Sequence, residues 1–266
     1  SYTFDNNIVQ HNKLALLHNN KDIFFCKTDH LQSLFEYLAS YTTPITLITG
    51  NSDYAITDEM INMAPSCVKL WFGQVMNSDN PIATALPFGI ENSEHCILGE
   101  MQGYGHPGGA KKVEIAITPP KKTPTKLVYA NFSIWTNKER DRVAQLCRDS
   151  PHITYDCAHI RTLDSYEEFV DNVLDHQMVV CPEGNAPAET HRFWEVLYMG
   201  RTPIIKYNKG LSSFTELPVI VLSDWNQLED ITFLEEELKR VKNNPTRMLN
   251  MSYWADKIIR TSQDSE

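Results

Sequence analysis

The stretch QMVVCPEGNAPAETHRFWEVLYMGRTPIIKY, residues 177–207, decides the fold that the sequence predicts. An apolar run leads into a turn rich in Pro, Gly and Asn, an amphipathic segment follows from about Glu189, and a second apolar run begins at a Gly-x-x-Pro pattern. This is the order strand, turn, helix, strand. Since two strands joined by a helix lie parallel in one sheet, the stretch predicts a βαβ unit.

The alternation of strands and helices continues in both directions along the chain. In the first half it predicts strands over 22–28, 45–50, 68–74 and 82–90, and helices over 29–40 and after Thr57. In the second half it predicts strands over 126–135, 152–157, 177–182, 202–207 and 218–222, and helices over 137–150, 165–176 and from about Glu189. A proline-rich segment, TPPKKTPT at 118–125, separates the halves. The predicted fold class is therefore α/β, with two Rossmann-like doubly wound domains facing a cleft.

The composition argues against two classes of protein. A formal net charge of -10 and a pI near 5.4 exclude electrostatic binding of nucleic acid as a main function, because following a phosphate backbone needs a basic surface. No apolar run approaches about 18 residues, so the sequence predicts no transmembrane segment. The six cysteines form no C-x-x-C pair and several lie in apolar segments, which favours reduced thiols and a cytoplasmic location.

Ionisable residues are concentrated at the start of the helix in the opening stretch. In an open parallel sheet ligands lie beyond the carboxyl ends of the strands, where helix N-termini favour anions. Arg192 adds a guanidinium suited to phosphate oxygens, and Glu195, one turn further and on roughly the same face as His191 and Arg192, is able to accept ribose hydroxyls. The sequence thus predicts a diphosphate site here. The alternative interpretation is a solvated ion-pair face made of Glu189, His191, Arg192 and Glu195.

The same stretch resembles the donor-binding segment of exostosin-like glycosyltransferases of the GT-B fold, in particular short forms from bacteria and large DNA viruses. Their pattern is Ser-Pro-x-Gly-Asn, an acidic residue, His-Arg, x-Trp-Glu-x-Leu and Gly-x-x-Pro-Ile. The matching residues are Pro182, Gly184, Asn185, Glu189, His191, Arg192, Trp194, Glu195, Leu197, Gly200, Pro203 and Ile204. Cys181 replaces the usual Ser, and Ala186 with Pro187 replaces a Gly-containing pair, so the turn is expected to differ in shape.

Three further segments are similar to the same family. YANFSIWTNKERDRV at 129–143 resembles the first strand and helix of the donor domain, which implies that Asn137 and Arg140 lie near the diphosphate. ITGNSDYAITDE at 48–59 and ALPFGIEN at 85–92 resemble segments of the other domain. The donor-binding residues implied by the resemblance are Asn137, Arg140, Gly184, Asn185, Glu189, His191, Arg192 and Glu195.

The resemblance implies a division of the chain. Residues 1–120 are expected to form an acceptor-side Rossmann-like domain, and residues 121–243 a nucleotide-sugar-binding one. Residues 244–266 are expected to form a helix that packs back on the N-terminal domain. The location implied is the cytoplasm of a bacterial or virus-infected cell.

The activity implied by the resemblance is transfer of a sugar from a nucleotide-diphosphate sugar to a glycan hydroxyl. A UDP-sugar is favoured, and UDP-xylose is a candidate because a chlorovirus type that adds xylose is among the similar forms. No metal or other cofactor is expected, since the family needs none and the chain contains no Asp-x-Asp. Arg140, Arg192, His191 and the helix N-terminus would then neutralise the leaving diphosphate.

An inverting reaction needs a carboxylate base on the N-terminal side of the cleft. Asp53, which follows the strand at 45–50, is the first candidate, and Asp79 is the second. A turn or capping role for Asp53 is the plain alternative. A retaining mechanism would need no such base. Two other functions remain open at this point, a nucleotide-sugar epimerase on the same fold and a non-catalytic sugar-binding module.

Overall fold

A computed structural model of the chain describes residues 2–5, 8–11, 22–90, 109–157 and 163–263, with side chains described over 22–90, 111–157 and 166–263. The strands are β1 Tyr2–Asp5, β2 Ile8–His11, β3 Ile23–Lys27, β4 Ile45–Gly50, β5 Ile56–Thr57, β6 Val68–Gly73, β7 Met76–Asn77, β8 Ala83–Ala85, β9 Lys126–Asn131, β10 Ile153–Asp156, β11 His176–Val180, β12 Thr202–Lys206 and β13 Ile220–Leu222. The α-helices are α1 Leu31–Leu38, α2 Asp58–Asn62, α3 Gly109–Ile117, α4 Glu139–Asp149, α5 Leu163–Asp175, α6 His191–Tyr198, α7 Ile231–Val241 and α8 Met251–Gln263.

The first sheet has the order β2-β1-β3-β4-β6-β8, and only the β1/β2 pair is antiparallel. Its central strands are nearly continuous apolar runs, as expected for a parallel sheet buried on both faces. Strands β1 and β2, on one side of this sheet, were not predicted. The predicted strand over 82–90 is shorter than expected, because pairing stops at Ala85 and Pro87 follows closely.

The second sheet is fully parallel and has the order β10-β9-β11-β12-β13. Numbered from β9, this is the doubly wound order 2-1-3-4-5. The chain adds β10 on one side of β9 and then returns to add β11 on the other side. The strand order therefore reverses between β9 and β11, which makes this gap the topological switch point.

The carboxyl ends of the two sheets face each other. The loop after β8 meets the loop after β11, where the Phe88 N–H donates to Glu189 Oε1 at 3.0 Å. The segment after β12 meets the first sheet at Gly210, where a Cβ would lie only 2.8 Å from the Met76 carbonyl oxygen. Val75 is buried and has a backbone φ of 52°, in the left-handed region, and it packs with Ala186 and Ala188 of the second unit. The predicted cleft is thus formed by the strand ends that bind ligands in such folds.

Helix α8 crosses back to the first sheet. Near its end, the hydroxyl of Ser262 forms a buried hydrogen bond with the hydroxyl of Thr46 on β4, with the two oxygens 2.8 Å apart. Ile258 packs with Ile23 and Phe72 of the same sheet. The predicted α/β architecture of two Rossmann-like units with a returning C-terminal helix is therefore confirmed, and it is the arrangement expected of a GT-B fold.

The predicted boundary at residue 120 falls in a segment without helix or strand, from Pro119 to Thr125. Helix α3 precedes this segment, yet it packs on α6 of the second unit through Lys112 and Glu195. The division of the chain at residue 120 stays a prediction. None of the described helices is both long and apolar enough to cross a membrane.

Candidate functional site

The candidate site lies at the switch point of the second sheet. The loop 132–138 follows β9 and leads into α4, and the loop 181–190 follows β11 and leads into α6. Because β9 and β11 are neighbours, the two loops and the two helix N-termini come together. All eight predicted donor-binding residues lie in these loops or in the first two turns of these helices.

Arg192 lies over the end of β9. Its Nη1 donates to the carbonyl of Asn131 at 2.8 Å, and its Nε donates to Glu195 Oε2 at 3.2 Å. The guanidinium also covers the ring of Phe169, 3.8 Å from the ring centroid. The side chain stays 20% exposed, and its Nη2 makes no hydrogen bond with the described part of the chain. Arg192 is thus held in place with donor capacity left for a ligand.

Glu195 and Lys112 form a buried ion pair behind Arg192. Lys112 Nζ lies 2.8 Å from Glu195 Oε1, and each side chain is only 4% exposed. With Oε2 engaged by Arg192, both carboxylate oxygens have cationic partners. The predicted acceptance of ribose hydroxyls by Glu195 does not fit this arrangement, because the carboxylate is buried and already paired. It orients Arg192 instead.

His191 points away from Arg192, toward the first unit. Its Nδ1 donates to the carbonyl of Gly89 at 2.8 Å, and its ring meets the edge of Phe88 with centroids 5.6 Å apart. Since a carbonyl only accepts, Nδ1 carries the proton, and Nε2 is an acceptor in the neutral ring and a donor in the imidazolium. The prediction of one shared face is wrong for His191, because successive helical residues diverge by about 100°.

Arg140 clamps the two loops of the switch point together. Its side chain is 9% exposed. Nε and Nη2 donate to the carbonyls of Glu183 and Pro182 at 2.6 and 3.1 Å, and Nη1 donates to the carbonyl of Ser133 at 2.9 Å. Burial lowers the pKa of Arg140 to about 10, with a further contribution from the charge of Arg192. In this conformation the guanidinium binds backbone carbonyls of both loops, and its contact with a diphosphate stays a prediction.

Asn137 and Gly184 add to the same clamp. Asn137 Nδ2 donates to the Gly184 carbonyl at 3.1 Å, and its Oδ1 accepts the Glu139 N–H at 2.9 Å. A Cβ at Gly184 would lie 3.4 Å from Thr190 Cγ2, so the loop passes close to the start of α6. Asn185, next along the loop, is exposed. These residues therefore shape the surroundings of the α6 N-terminus.

The N-terminus of α6 has no side-chain cap. Thr190 occupies the N-cap position with an extended backbone, but its hydroxyl makes no capping bond, and Oγ1 is buried without a partner in the described structure. The Phe193 N–H donates to the Thr190 carbonyl at 3.0 Å, but the N–H groups of His191 and Arg192 have no acceptor within the described residues and are left to another one. Together with the positive end of the helix dipole they favour an anion.

Glu189 connects the start of α6 to the first unit. Its Oε1 accepts the N–H of Phe88 at 3.0 Å and the indole N–H of Trp194 at 3.1 Å, and the residue is 4% exposed. Burial raises the pKa of Glu189 to about 7, although both hydrogen bonds oppose the shift. The carboxyl group predicted to contact the donor thus lies in the contact between the units.

The predicted bases lie on the opposite side of the cleft. Asp53, in the loop after β4, is exposed and makes no ion pair within the described residues. Asp79, after β7, lies 3.4 Å from Lys209 Nζ, which also lies 3.1 Å from Asp58. Hydrogen bonds to Asp58 and Asp79 raise the pKa of Lys209. Because Lys209 follows β12, this cluster links the two units.

Several residues that build the site were not predicted from the sequence. Lys112 binds Glu195, and Phe169 lies under the guanidinium of Arg192. Neither belongs to a recognisable sequence motif, and the packing of α3 and α5 brings them to α6. Phe88 and Gly89 belong to a segment whose resemblance is visible in the sequence but whose contact with His191 is not. Among the described residues, no cluster of three or more His, Cys, Asp or Glu side chains could hold a metal ion.

Comparisons with known proteins give distant structural likenesses and no family. No family model and no curated protein matches the chain. An alpha,alpha-trehalose-phosphate synthase (UDP-forming) from Burkholderia vietnamiensis matches 95% of this chain and 76% of its own, with 11% identity and a TM-score of 0.44. A similar synthase from Burkholderia multivorans matches 95% and 74%, with 12% identity and a TM-score of 0.43. One from Burkholderia xenovorans, in complex with glucose-6-phosphate, matches 94% and 76%, with 12% identity and a TM-score of 0.39. Likeness at this level does not identify a function.

Proposed function

We propose that the protein is a glycosyltransferase that moves a sugar from a nucleotide-diphosphate sugar to an acceptor hydroxyl. The observation that carries the proposal is the uncapped N-terminus of α6, with Arg192 beside it at the switch point of a doubly wound sheet. Open α/β sheets bind nucleotides at such points. The acceptor then binds on the other side of the cleft, at the carboxyl ends of the strands of the first sheet.

The donor half of the reaction follows from the charges at this point. When the bond to the sugar breaks, negative charge grows on the nucleoside diphosphate that leaves. The N–H groups of the α6 N-terminus and the guanidinium of Arg192 stabilise that charge. Lys112 and Glu195 keep Arg192 oriented before the substrate arrives. The site is therefore preorganised for an anion.

The acceptor half needs a group that removes a proton from the attacking hydroxyl. Asp53 is the better placed of the two candidates, because its carboxylate is not engaged by a described residue, whereas that of Asp79 is paired with Lys209. In this proposal the reaction inverts the anomeric centre. The acceptor hydroxyl loses its proton to Asp53 as its oxygen bonds to the anomeric carbon of the donor sugar, and the bond from that carbon to the nucleoside diphosphate breaks.

The first experiment measures donor binding by the variant Arg192→Ala. Titration calorimetry with UDP, UDP-glucose and UDP-xylose should show binding to the wild type that weakens by about tenfold or more in the variant, because a charge-assisted contact is lost. Arg240→Ala is the matched control, since Arg240 is an exposed arginine on α7 that pairs only locally with Glu237. Equal binding by all three proteins would refute the donor site.

The second experiment separates chemistry from binding with Asp53→Asn. Donor affinity should stay near the wild-type value, because Asp53 lies on the other side of the cleft, while turnover should fall by about 100-fold or more if a general base is removed. Asp79→Asn should have a much smaller effect. Full turnover of Asp53→Asn together with a strong loss in Asp79→Asn would reverse the assignment.

The finer parts of the proposal rest on sequence motifs. The residues from Pro182 to Ile204 support an exostosin-like donor segment, a UDP-sugar and, among these, UDP-xylose. The absence of an Asp-x-Asp motif supports chemistry without a bound metal. A panel of nucleotide-sugars, with release of free nucleotide as the readout, ranks the donors directly.

A further inference from the structure

A large cavity lies next to the candidate site, on the side of the first unit. It has a volume of about 730 Å³ and is lined by the sheet residues Ile23 and Ile48, by α8 and by α6. Pockets that hold small molecules have volumes of about 300–1,000 Å³. No charged side chain of the described chain lines it. A ligand that suits such a lining is apolar.

The rings in the lining offer carbon surface to this cavity. Trp194, Tyr198 and Trp254 all line it, and the polar atom of each has a partner in the protein. The hydroxyl of Tyr198 and the indole N–H of Trp254 donate to backbone carbonyls of residues 248–249 at 2.7 and 2.8 Å. The indole N–H of Trp194 donates to Glu189. At these three residues a bound molecule therefore meets carbon atoms rather than free hydrogen-bonding groups.

The polar part of the lining lies at one end, where β4, β6 and β8 finish. Gln74 accepts the Asn51 N–H at 2.9 Å and donates to the Pro87 carbonyl at 3.1 Å, so both its oxygen and its nitrogen have a partner. The side-chain amide of Asn51 is exposed and makes no hydrogen bond within the described chain. Gly89, also in the lining, accepts the hydrogen bond from His191. This end of the cavity is therefore the end that faces the reaction cleft.

We propose that the cavity binds the alkyl chain of an amphiphilic acceptor, whose hydroxyl-bearing head then lies at the cleft. This inference rests on the proposed function, because it names the acceptor class of the same site. Asp53 follows two residues after Asn51, so a head group at the polar end lies beside the proposed base. The reversed orientation would place a polar head near Ile23, at the opposite end of the parallel strands, where the described lining residues Ile23 and Ile258 are apolar.

The test uses n-alkyl glucosides from methyl to octyl, kept below the concentration at which they form micelles. Tryptophan fluorescence reports binding without any turnover, because Trp194 and Trp254 line the cavity. Each added methylene group that is buried should tighten binding by up to about fourfold. In turnover assays with a nucleotide-sugar donor, KM for the same series should fall in parallel.

Variants of α8 locate the binding. Ala255 lines the cavity, so Ala255→Phe fills part of it and should remove most of the dependence on chain length. Ala255→Leu fills less and should give an intermediate loss, which keeps the test usable if the larger side chain impairs folding. Ser252→Phe is the matched control, since it adds the same ring to an exposed position of the same helix. Donor binding should be the same in all three variants.

The outcomes separate this inference from the proposed function. Tight donor binding with equal affinity for methyl and octyl glucoside overturns the apolar acceptor and leaves the glycosyltransferase proposal standing. Affinity that increases with alkyl-chain length but is unaffected by Ala255→Phe also overturns it. The alkyl chain then binds elsewhere on the protein or between two protein molecules. Chain-length dependence that is lost in Ala255→Phe, with no nucleotide-sugar binding, supports the cavity assignment and refutes the glycosyltransferase.

Discussion

Two buried carboxylates near the start of α6 differ because of what surrounds them. Glu195 is held between the cations of Lys112 and Arg192. Glu189 is equally buried but receives only neutral N–H donors, from Phe88 and Trp194. A charge without a cationic partner is costly in an apolar environment, so burial raises the pKa of Glu189 to about 7. Residue type alone therefore does not determine the role of an acidic group.

Glu189 should make the stability of the protein depend on pH. Its pKa is raised from 4.5 to about 7 on folding, so the folded state binds more protons between these values. Stability should consequently be greatest below pH 4.5 for this group and fall as the pH rises to 7, by at most roughly 3 kcal/mol. Urea unfolding followed by tryptophan fluorescence at a series of pH values measures this slope.

Glu189→Gln is the control for that titration. The amide oxygen is able to accept the same two hydrogen bonds but does not ionise in this range. The variant should therefore show a flatter dependence of unfolding free energy on pH between 4.5 and 7. An unchanged slope would assign the effect to other groups.

At the level of elements, α8 packs against residues that are far away in sequence. Its apolar residues have helical spacing, but this pattern does not identify the surface on which they pack. In the structure the helix lies on the first sheet, with Thr46 and Ser262 joined across 216 residues of sequence. The helix thereby closes one side of the large cavity, so its docking bears on both stability and substrate binding.

Ile258→Ala should loosen this docking. Ile258 is 6% exposed and contacts Ile23 and Phe72, and truncation of such a side chain costs about 2–5 kcal/mol. The lower end is expected because Ile258 also borders the cavity. Chemical unfolding measures the loss. Ile259→Ala, at a half-buried position one residue further on, should cost clearly less, and equal losses would argue against the docking described.

At the level of the whole molecule, the charge is distributed unevenly. The protein is acidic overall, with a formal charge of -10, yet Arg140, Arg192 and the N-terminus of α6 come together at one point of the cleft. An anionic ligand is therefore held by local groups rather than by the general field of the protein. This is the physical basis for proposing that the protein itself neutralises the leaving diphosphate.

Turnover should accordingly survive the removal of divalent metal ions. With a suitable nucleotide-sugar and acceptor, the rate in excess EDTA should equal the rate in Mg²⁺ or Mn²⁺, because no bound cation is needed to stabilise the diphosphate in this mechanism. The assay follows release of free nucleotide. Loss of activity in EDTA that Mg²⁺ or Mn²⁺ restores would contradict the metal-free mechanism.

The sequence predicted the α/β class and most of the strands. Strand β4 spans 45–50 as predicted, and Thr57 caps the next helix through a bond from Met60. These predictions succeeded because strand and helix periodicity, and the preference of Thr for N-caps, are local properties. The pairing of Glu195 with Lys112 could not be predicted in this way, since the partners are distant in sequence.

The sequence by itself determined that a strand, a turn and a helix carrying His191, Arg192 and Glu195 stand where such folds bind anions. Only the tertiary structure decided which of these side chains remain available. It turned His191 toward Gly89, buried Glu195 against Lys112 and left Arg192 partly exposed. The reason is that periodicity sets the direction of each side chain about its own helix, whereas burial and pairing depend on which elements pack against that helix.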